Sequence, residues 1–395
     1  MSGKREVVVV SGARSPIGSY GGALKDFAPC DLATLVVKEA IARAKVDASQ
    51  IGHMFLGSVI HGEARDMYIS RVAALNAGMS KESCAVTVNR LCGSGFQAIV
   101  GAAQSILLGD TDIAIGAGAE SMSRGGYLFP SARWGARMGD TKLIDMMVGA
   151  LTDPFGTDHM GITAENIATK WGIGRDKQDE FALESQKRAV AAIAAGHFKS
   201  QIVPIEIKSR KGPVMFDTDE YPKADASMDG LAKLKPAFKK DGTVTPGNAS
   251  GINDGAAAVV LMEAEAAAKA GLKPLARLVS YGIAGVDPAY MGEGPIPAVK
   301  LALARAGLKV GDLDVIESNE AFAVQSLCVT QGLGFDPAKV NPNGGAVALG
   351  HPVGATGVIL TVKCLYELQR TGKRYGLVTM CIGGGQGIAG VFERM

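Results

Sequence analysis

Cys92, His351 and Cys381 are the residues of this chain whose types and settings suit covalent chemistry. Cys92 lies in Asn89-Arg90-Leu91-Cys92-Gly93-Ser94-Gly95-Phe96, immediately ahead of a strongly apolar helical stretch. A thiol at a helix N-terminus faces unpaired N–H groups and the positive end of the dipole, which lowers its pKa and favours thiolate. Free cysteine also serves as a small core residue, and the Gly-Ser-Gly turn is what sets Cys92 apart. His351 follows the glycine-rich run Asn343–Gly350 and precedes Pro352, a residue suited to a first helical turn, so the imidazole points out of a loop-to-helix junction. Without a partner nucleophile such a histidine is a surface or core residue. Cys381 opens Cys381-Ile382-Gly383-Gly384-Gly385-Gln386-Gly387, directly after an apolar strand. Loops beyond strand C-termini bind ligands in α/β sheets, and consecutive glycines expose N–H groups able to hold an oxyanion or, equally, a phosphate. Were the three residues to converge, one thiolate would attack a carbonyl, the histidine would take its proton, and the second thiol would move a proton on carbon. That division of labour suits carbon–carbon bond chemistry on a thioester. Two thiols within disulfide reach would also allow oxidation to inactivate the site.

The elements that must position these residues recur in two halves. Short β-rich runs alternate with Ala-rich helical stretches: Val7–Val10 then Leu32–Ala44, Ala98–Leu108 then Ile113–Gly116, Val358–Leu368 then Gly376–Met380. This alternation predicts a parallel sheet covered on both faces. A Gly-rich turn, an apolar helix and a strand ending in small residues occur around 93–118 and again around 354–385, which reads as a long internal repeat. From about Ser121 to Asn248 the texture changes to Pro, Arg, Met and charge clusters, as expected of a region inserted over one face of the core. Within it, Asp176–Asp179 followed by Phe181–Ile193 predicts a capped amphipathic helix.

Composition narrows the function class. A length of 395 residues predicts two or three domains. Forty-one basic against 39 acidic side chains leave a net charge of +2, which excludes the marked basic excess of a nucleic-acid binder. The 52 glycines point to closely approaching backbones rather than linkers, because they cluster within apolar segments. No GxGxxG follows the first strand, where Gly12-Ala13-Arg14-Ser15-Pro16 stands instead, so a nucleotide-binding dehydrogenase is excluded. The six cysteines show no CxxC spacing, which argues against a zinc site or disulfide framework and for a reducing compartment. The four valines Val7–Val10 are too short for a signal peptide, and no uncharged apolar stretch is expected to reach bilayer-spanning length; the expected location is the cytoplasm. Cys30, Cys84, Cys328 and Cys364 read as packing residues, His53, His61 and His197 as structural or surface ones, and Lys208–Lys211 as a solvated loop.

Over nearly its whole length the sequence resembles the thiolase family. The resemblance rests on Asn89–Gly95, Gly116-Ala117-Gly118-Ala119-Glu120-Ser121-Met122, His159–Asn166, Gly247-Asn248-Ala249-Ser250-Gly251, Asn319-Glu320-Ala321-Phe322-Ala323, Gly350-His351-Pro352 and Cys381–Gly387. Among thiolases it is most similar to short-chain bacterial β-ketothiolases, or acetyl-CoA acetyltransferases, including those that supply polyhydroxyalkanoate synthesis. The resemblance implies an α/β fold of duplicated βαβαβαββ halves in a five-layered αβαβα sandwich with an inserted loop domain. Its divisions would be an N-terminal half at 1–120 and 250–272, a loop domain at 121–249 and a C-terminal half at 273–395. It implies Cys92 as the acyl-accepting nucleophile, His351 as its base and an oxyanion donor, and Cys381 as the acid/base at the substrate α-carbon. Asn319 would hold a water completing one oxyanion hole, and the N–H groups of Cys92 and Gly383 would form the other. Ser250, His159, Met160, Phe238, Met291 and Phe322 match positions around the pantetheine arm or acyl pocket. Lys223 stands where relatives often carry Arg near the CoA nucleotide, a change that loses the planar guanidinium fork.

The resemblance further implies coenzyme A as cosubstrate with no bound cofactor or metal, and a homotetrameric dimer of dimers. Partners would be acyl-CoA and CoA, with no nucleic acid and no membrane. Ketoacyl synthases share the fold and the cysteine but use two histidines, and Asn319 stands where the second would be. The remaining alternatives are a broad-chain degradative 3-ketoacyl-CoA thiolase and a non-enzymatic acyl-CoA-binding protein on the same fold; retention of all three reactive residues counts against the latter.

Overall fold

A computed structural model describes residues 5–208 and 212–395. Residues 209–211 of the basic Lys208–Lys211 cluster therefore lie outside the described residues. The first half runs β1 (Val7–Arg14), α1 (Pro29–Ala44), β2 (His53–Gly57), α2 (Ile69–Asn76), β3 (Cys84–Val88), α3 (Ser94–Leu108), β4 (Ile113–Ser121) and, after a long connection, β5 (Asn253–Glu263). Between β4 and β5 lie α4 (Met160–Trp171) and α5 (Arg175–Ala194). The second half runs β6 (Ala276–Gly285), α6 (Pro295–Ala306), β7 (Val315–Ser318), α7 (Ala323–Leu333), α8 (Thr356–Thr371), β8 (Tyr375–Ile382) and β9 (Gln386–Arg394).

The duplication is visible in the pairing. The first half-sheet has the order β3-β2-β4-β5-β1 and the second β7-β8-β9-β6. An isolated parallel bridge from Ile316 to Val340 occupies the place of β3 in the second half. The halves join where Val8 and Val9 pair with Arg277 and Ala276, making one continuous sheet. The expected parallel sheet is only partly realised. β2 runs parallel to β3 and β4, and β7 to β8, but β5 is antiparallel to both neighbours, as is β9. For β9 the reason is local: β8 turns directly into β9 through Gly383-Gly384-Gly385, and a connection that short can join only antiparallel strands.

Burial separates the layers. Val8 and Val10 pack with α1 and α2 on one face, while Val7 and Val9 pack with α3 and α8 on the other, so these strands are apolar throughout. α6 covers the outer face of the second half-sheet through Ala298, Val299 and Ala302. α3 and α8 thus form a central layer buried between the half-sheets, giving αβαβα. The uncharged stretch Leu91–Leu108 does reach spanning length, contrary to the expectation, and 72% of it is buried inside the protein as this central helix. The predicted helix is present as α5, but it begins at Arg175 after Gly174 and no side chain caps it; Asp176 lies inside its first turn instead of ahead of it. All six cysteines are free, Cys30, Cys328 and Cys364 among buried side chains and Cys84 exposed on β3.

The central helices meet where neither tolerates a side chain. A Cβ on Gly357 would lie 2.2 Å from the Phe96 nitrogen, and one on Gly95 2.9 Å from the Gly354 oxygen. Gly→Ala inside a helix ordinarily stabilises by about 1 kcal/mol. Gly357→Ala is expected to do the reverse, lowering unfolding free energy in urea by about 1 to 3 kcal/mol through overpacking. Unchanged or raised stability would contradict the close approach.

Candidate active site

The turn carrying Cys92 is fixed by its own side chains. The Leu91 N–H donates to Asn89 Oδ1 at 2.9 Å, and Leu91 adopts φ +45°, in the left-handed region. Ser94 Oγ accepts from the Arg90 N–H at 2.8 Å and donates to the Leu91 carbonyl at 2.7 Å. The Arg90 guanidinium donates across to Gln386 Oε1 of the second half at 3.0 Å. Cys92 therefore sits just ahead of α3, as its spacing predicts.

Its electrostatics differ from that prediction. Burial pushes the Cys92 thiol up to about 11, with the Glu120 carboxyl adding to the rise. The N–H groups of Gly383 and of Cys92 itself hold the sulfur down, but not enough to offset desolvation. The expected lowering at the helix N-terminus is thus a correction: the helix end is present, and loss of water outweighs it. Cys381, fully buried at the end of β8, is also raised, first by burial and next by the neighbouring Cys92. That influence of Cys92 puts the two sulfurs in one neighbourhood.

His351 is also fully desolvated, which pushes its imidazole down to about 4. Its tautomer follows from hydrogen bonding. Thr356 Oγ1 donates to the Pro352 carbonyl at 2.9 Å and lies 2.6 Å from His351 Nδ1. The hydroxyl proton being committed to Pro352, Nδ1 is the donor to Oγ1, and Nε2 carries the free lone pair. Asn319 Nδ2 approaches that lone pair at 3.4 Å. The His351 N–H donates to Asn253 Oδ1 at 2.9 Å, and the same amide donates from Nδ2 to the Gly18 carbonyl at 3.0 Å. A Cβ on Gly350, which has φ +105°, would lie 2.4 Å from the Asn253 side chain.

Asn319 is held at the end of β7. Its N–H donates to the Thr379 carbonyl, while Asn341 grips both the N–H and carbonyl of Ser318 and donates to Glu320. Ser185 and the Val347 N–H also donate to Glu320. Below it, Lys363 pairs with Glu317 at 2.7 Å in the interior. The Gly247–Gly251 segment docks on the same loop: the Ser250 N–H donates to the Ala321 carbonyl and the Ala323 N–H to the Asn248 carbonyl.

These elements enclose a cavity of about 350 Å³ lined by Cys92, His351, Ser250, His159, Met160, Phe238, Met291 and Phe322 among others. His159 Nδ1 caps α4 by accepting the Gly161 N–H, and its ring stacks on Phe238 at 4.6 Å between centroids. Cys381 lies behind the wall, packed in the cluster containing Met160, Met291 and Phe322. A Cβ on Gly383 would lie 2.0 Å from Met160 Cε, so a side chain there would push the Met160 thioether into the cavity. Lys223 lines a neighbouring pocket of about 220 Å³ that shares Tyr221 and Pro246 with the first. Tyr221, Met122, Leu151, Ile252 and Val353 also line the main cavity and were not singled out by sequence. As isolated apolar or aromatic residues they carry no spacing signal. Asn253, Thr356 and Glu120 were missed as supports because their partners are remote or local backbone groups. Among the described residues there is no group of three or more His, Cys, Asp or Glu able to hold a metal ion.

Residues 7–265 match the family model described as "Thiolase, N-terminal domain", and residues 272–394 match "Thiolase, C-terminal domain". The chain is 65% identical over 392 residues to beta-ketothiolase BktB of Cupriavidus necator, covering 99% of this chain and 100% of that protein. A crystal structure of the Bacillus anthracis acetyl-CoA acetyltransferase superposes with a TM-score of 0.98 at 44% identity, over 100% of both chains. One of human mitochondrial 3-ketoacyl-CoA thiolase in complex with CoA does so at 0.96 and 43% identity, over 99% of this chain and 98% of that one.

Proposed function

The chain belongs to the thiolase family, and on that premise we propose that it is an acetyl-CoA C-acetyltransferase, a β-ketothiolase with a short-chain preference. The observation that carries the reading is that Cys92 and the neutral imidazole of His351 line one mostly apolar cavity, with Cys381 packed just behind its wall and two backbone N–H groups facing the Cys92 sulfur.

In the first half-reaction Cys92 Sγ attacks the thioester carbonyl of an acyl-CoA while its proton passes to His351 Nε2, the nitrogen left free by the Thr356 contact. The CoA thiolate leaves and takes the proton of Cys381, so that His351 keeps the Cys92 proton on Nε2. In the second, the Cys381 thiolate so formed removes an α-proton from a second acyl-CoA. The enolate oxygen is met by the His351 Nε2–H and by a water on Asn319, and the α-carbon attacks the acyl carbon on Cys92. The oxygen of that tetrahedral intermediate lies between the Cys92 and Gly383 N–H groups. Its collapse breaks the bond to Cys92 Sγ, which recovers its proton from His351, and releases 3-ketoacyl-CoA; thiolysis is the reverse. Each fixed oxyanion donor contributes about 2.7 to 4 kcal/mol to such a step. Pantetheine runs past Ser250, His159, Met160, Phe238, Met291 and Phe322, and Lys223 in the adjoining pocket meets the nucleotide phosphates. Coenzyme A is cosubstrate, and the chemistry calls on no metal or prosthetic group.

The same reading makes the chain a homotetramer in the cytoplasm. Supporting it are the open edge of β3, where Cys84 is exposed, and the exposed side chains of Trp134 and Met138 at 87% and 95%. The free thiols suit a reducing compartment. Light scattering is expected to give four times the 40.8 kDa chain mass, and a single-chain mass would sink the assembly.

With acetyl-labelled acetyl-CoA, the wild type and Cys381→Ala should retain label on the protein and Cys92→Ala should not; only the wild type should turn over. Label surviving Cys92→Ala would refute the nucleophile assignment. Cleavage of a ladder of 3-ketoacyl-CoA esters should show kcat/KM falling steeply beyond four or five carbons. Equal or better rates on long esters would replace the short-chain reading with a degradative one.

A further inference from the structure

Glu120 lies at the C-terminal end of β4 with its side chain fully buried. It belongs to the segment that passes behind Cys92, yet none of the steps above uses it. Oε2 accepts the N–H groups of Val59 at 3.0 Å and Gly354 at 2.9 Å, and Oε1 accepts that of Ile60 at 3.0 Å. Among the described residues no cation pairs with it. The two backbone segments it joins flank the nucleophile, since Ile60 and Val353 pack with Cys92 and Met122 in one cluster. Gly354 is the far end of the loop that begins at His351, whose near end is tied to Asn253. The two ties come from adjacent strands, where Gly255 of β5 pairs with Glu120 itself. Gly354 has no latitude elsewhere: a Cβ on it would lie 2.6 Å from Glu120 Oε2, and its carbonyl oxygen lies 2.5 to 2.9 Å from Cβ positions on Gly57, Gly95 and Gly118.

We propose that Glu120 is a positioning residue for the thiolase reaction: its carboxylate locks the His351–Gly354 loop of the second half against the Val59–Ile60 turn of the first, and so holds the imidazole where it can exchange a proton with Cys92. Three N–H donors and no acceptor fit the ionised form, because a protonated carboxyl would leave its own O–H unpaired. Burial works against that and pushes Glu120 up to about 8, so the ionised lock is complete only above that pH, where turnover of the variants is compared, and weakens as pH falls below it. The ionisable groups that face it are Asp66 and Cys92. Glu120 is therefore charged over the range in which Cys92 titrates, and its charge disfavours the thiolate.

The inference rests on the thiolase reading, and the wild-type control separates the two: absence of CoA-dependent cleavage in the wild type defeats that reading, whereas the position of Glu120 is read from differences between variants. Glu120→Gln keeps the shape and removes the charge; Glu120→Asp keeps the charge and falls one methylene short of Gly354. Both are expected to lose turnover on the order of 10- to 100-fold, as for a catalytic group displaced by about 1 Å, with KM for CoA within about twofold of wild type. The pH midpoint for iodoacetamide alkylation of Cys92 should move down in Glu120→Gln and stay near wild type in Glu120→Asp. If Glu120→Gln does not fold, Glu120→Asp alone decides through its split between kcat and KM. Wild-type turnover in either variant overturns the proposal. So does a loss in which KM rises with falling melting temperature while the alkylation midpoint stays put in both, and so does failure of both to fold, which would leave a structural role only.

Discussion

The fit of one peptide into one slot is the constraint on which the rest of this structure depends. The Gly354 peptide of the second half sits against Gly57, Gly95 and Gly118 of the first, at distances that exclude a side chain from any of the four positions. Only when that fit is made does the loop starting at His351 lie beside the turn that carries Cys92. The repeated halves, the two-sided burial of their strands and the glycine-rich meeting of α3 with α8 all serve this approach. High glycine content is its sequence-level trace. Oversized residues at these positions would part the halves and the reacting groups together.

Burial of the site sets its electrostatics as firmly as it sets its shape. Both thiols rise and the imidazole falls when water is removed, so the resting site holds neutral groups. Charge then appears only along the reaction, on the attacking sulfur, the enolate oxygen and the tetrahedral oxygen. Fixed N–H groups are worth most where water is excluded and cost no reorganisation when the charge arrives. A thiolate resting at neutral pH would use those donors before substrate came. The chain instead keeps a high thiol pKa and a histidine whose Nε2 lone pair is left open by Thr356.

Much of this was legible in the sequence. Cys92, His351 and Cys381 announce themselves through turns of glycine and small residues next to apolar helices and strands, and the repeat at 93–118 and 354–385 corresponds to real equivalent elements. What spacing could not weigh was competition between effects. The helix end at Cys92 was visible, but the desolvation that outweighs it depends on Ile60, Met122 and Val353, brought in from distant segments. The parallel-sheet expectation failed at β5 and β9 because alternation reveals which segments are strands and not their direction; at β9 that direction is set by the three-residue turn before Gln386. Glu120, Asn253 and Thr356 stayed hidden because their work is done on backbone N–H groups and carbonyls, which leave no pattern in residue types.

The central claim is that His351 and Cys92 meet as a neutral pair, with the imidazole proton on Nδ1 and Nε2 open toward the reaction. Nitrogen-15 NMR of the protein labelled at its five histidines, with His351→Asn used to assign the signal, reads this directly. The account predicts one neutral tautomer protonated at Nδ1, unchanged from pH 5.5 to 8, in keeping with a histidine pushed down to about 4. An imidazolium at pH 7, or a neutral ring protonated at Nε2, would contradict it.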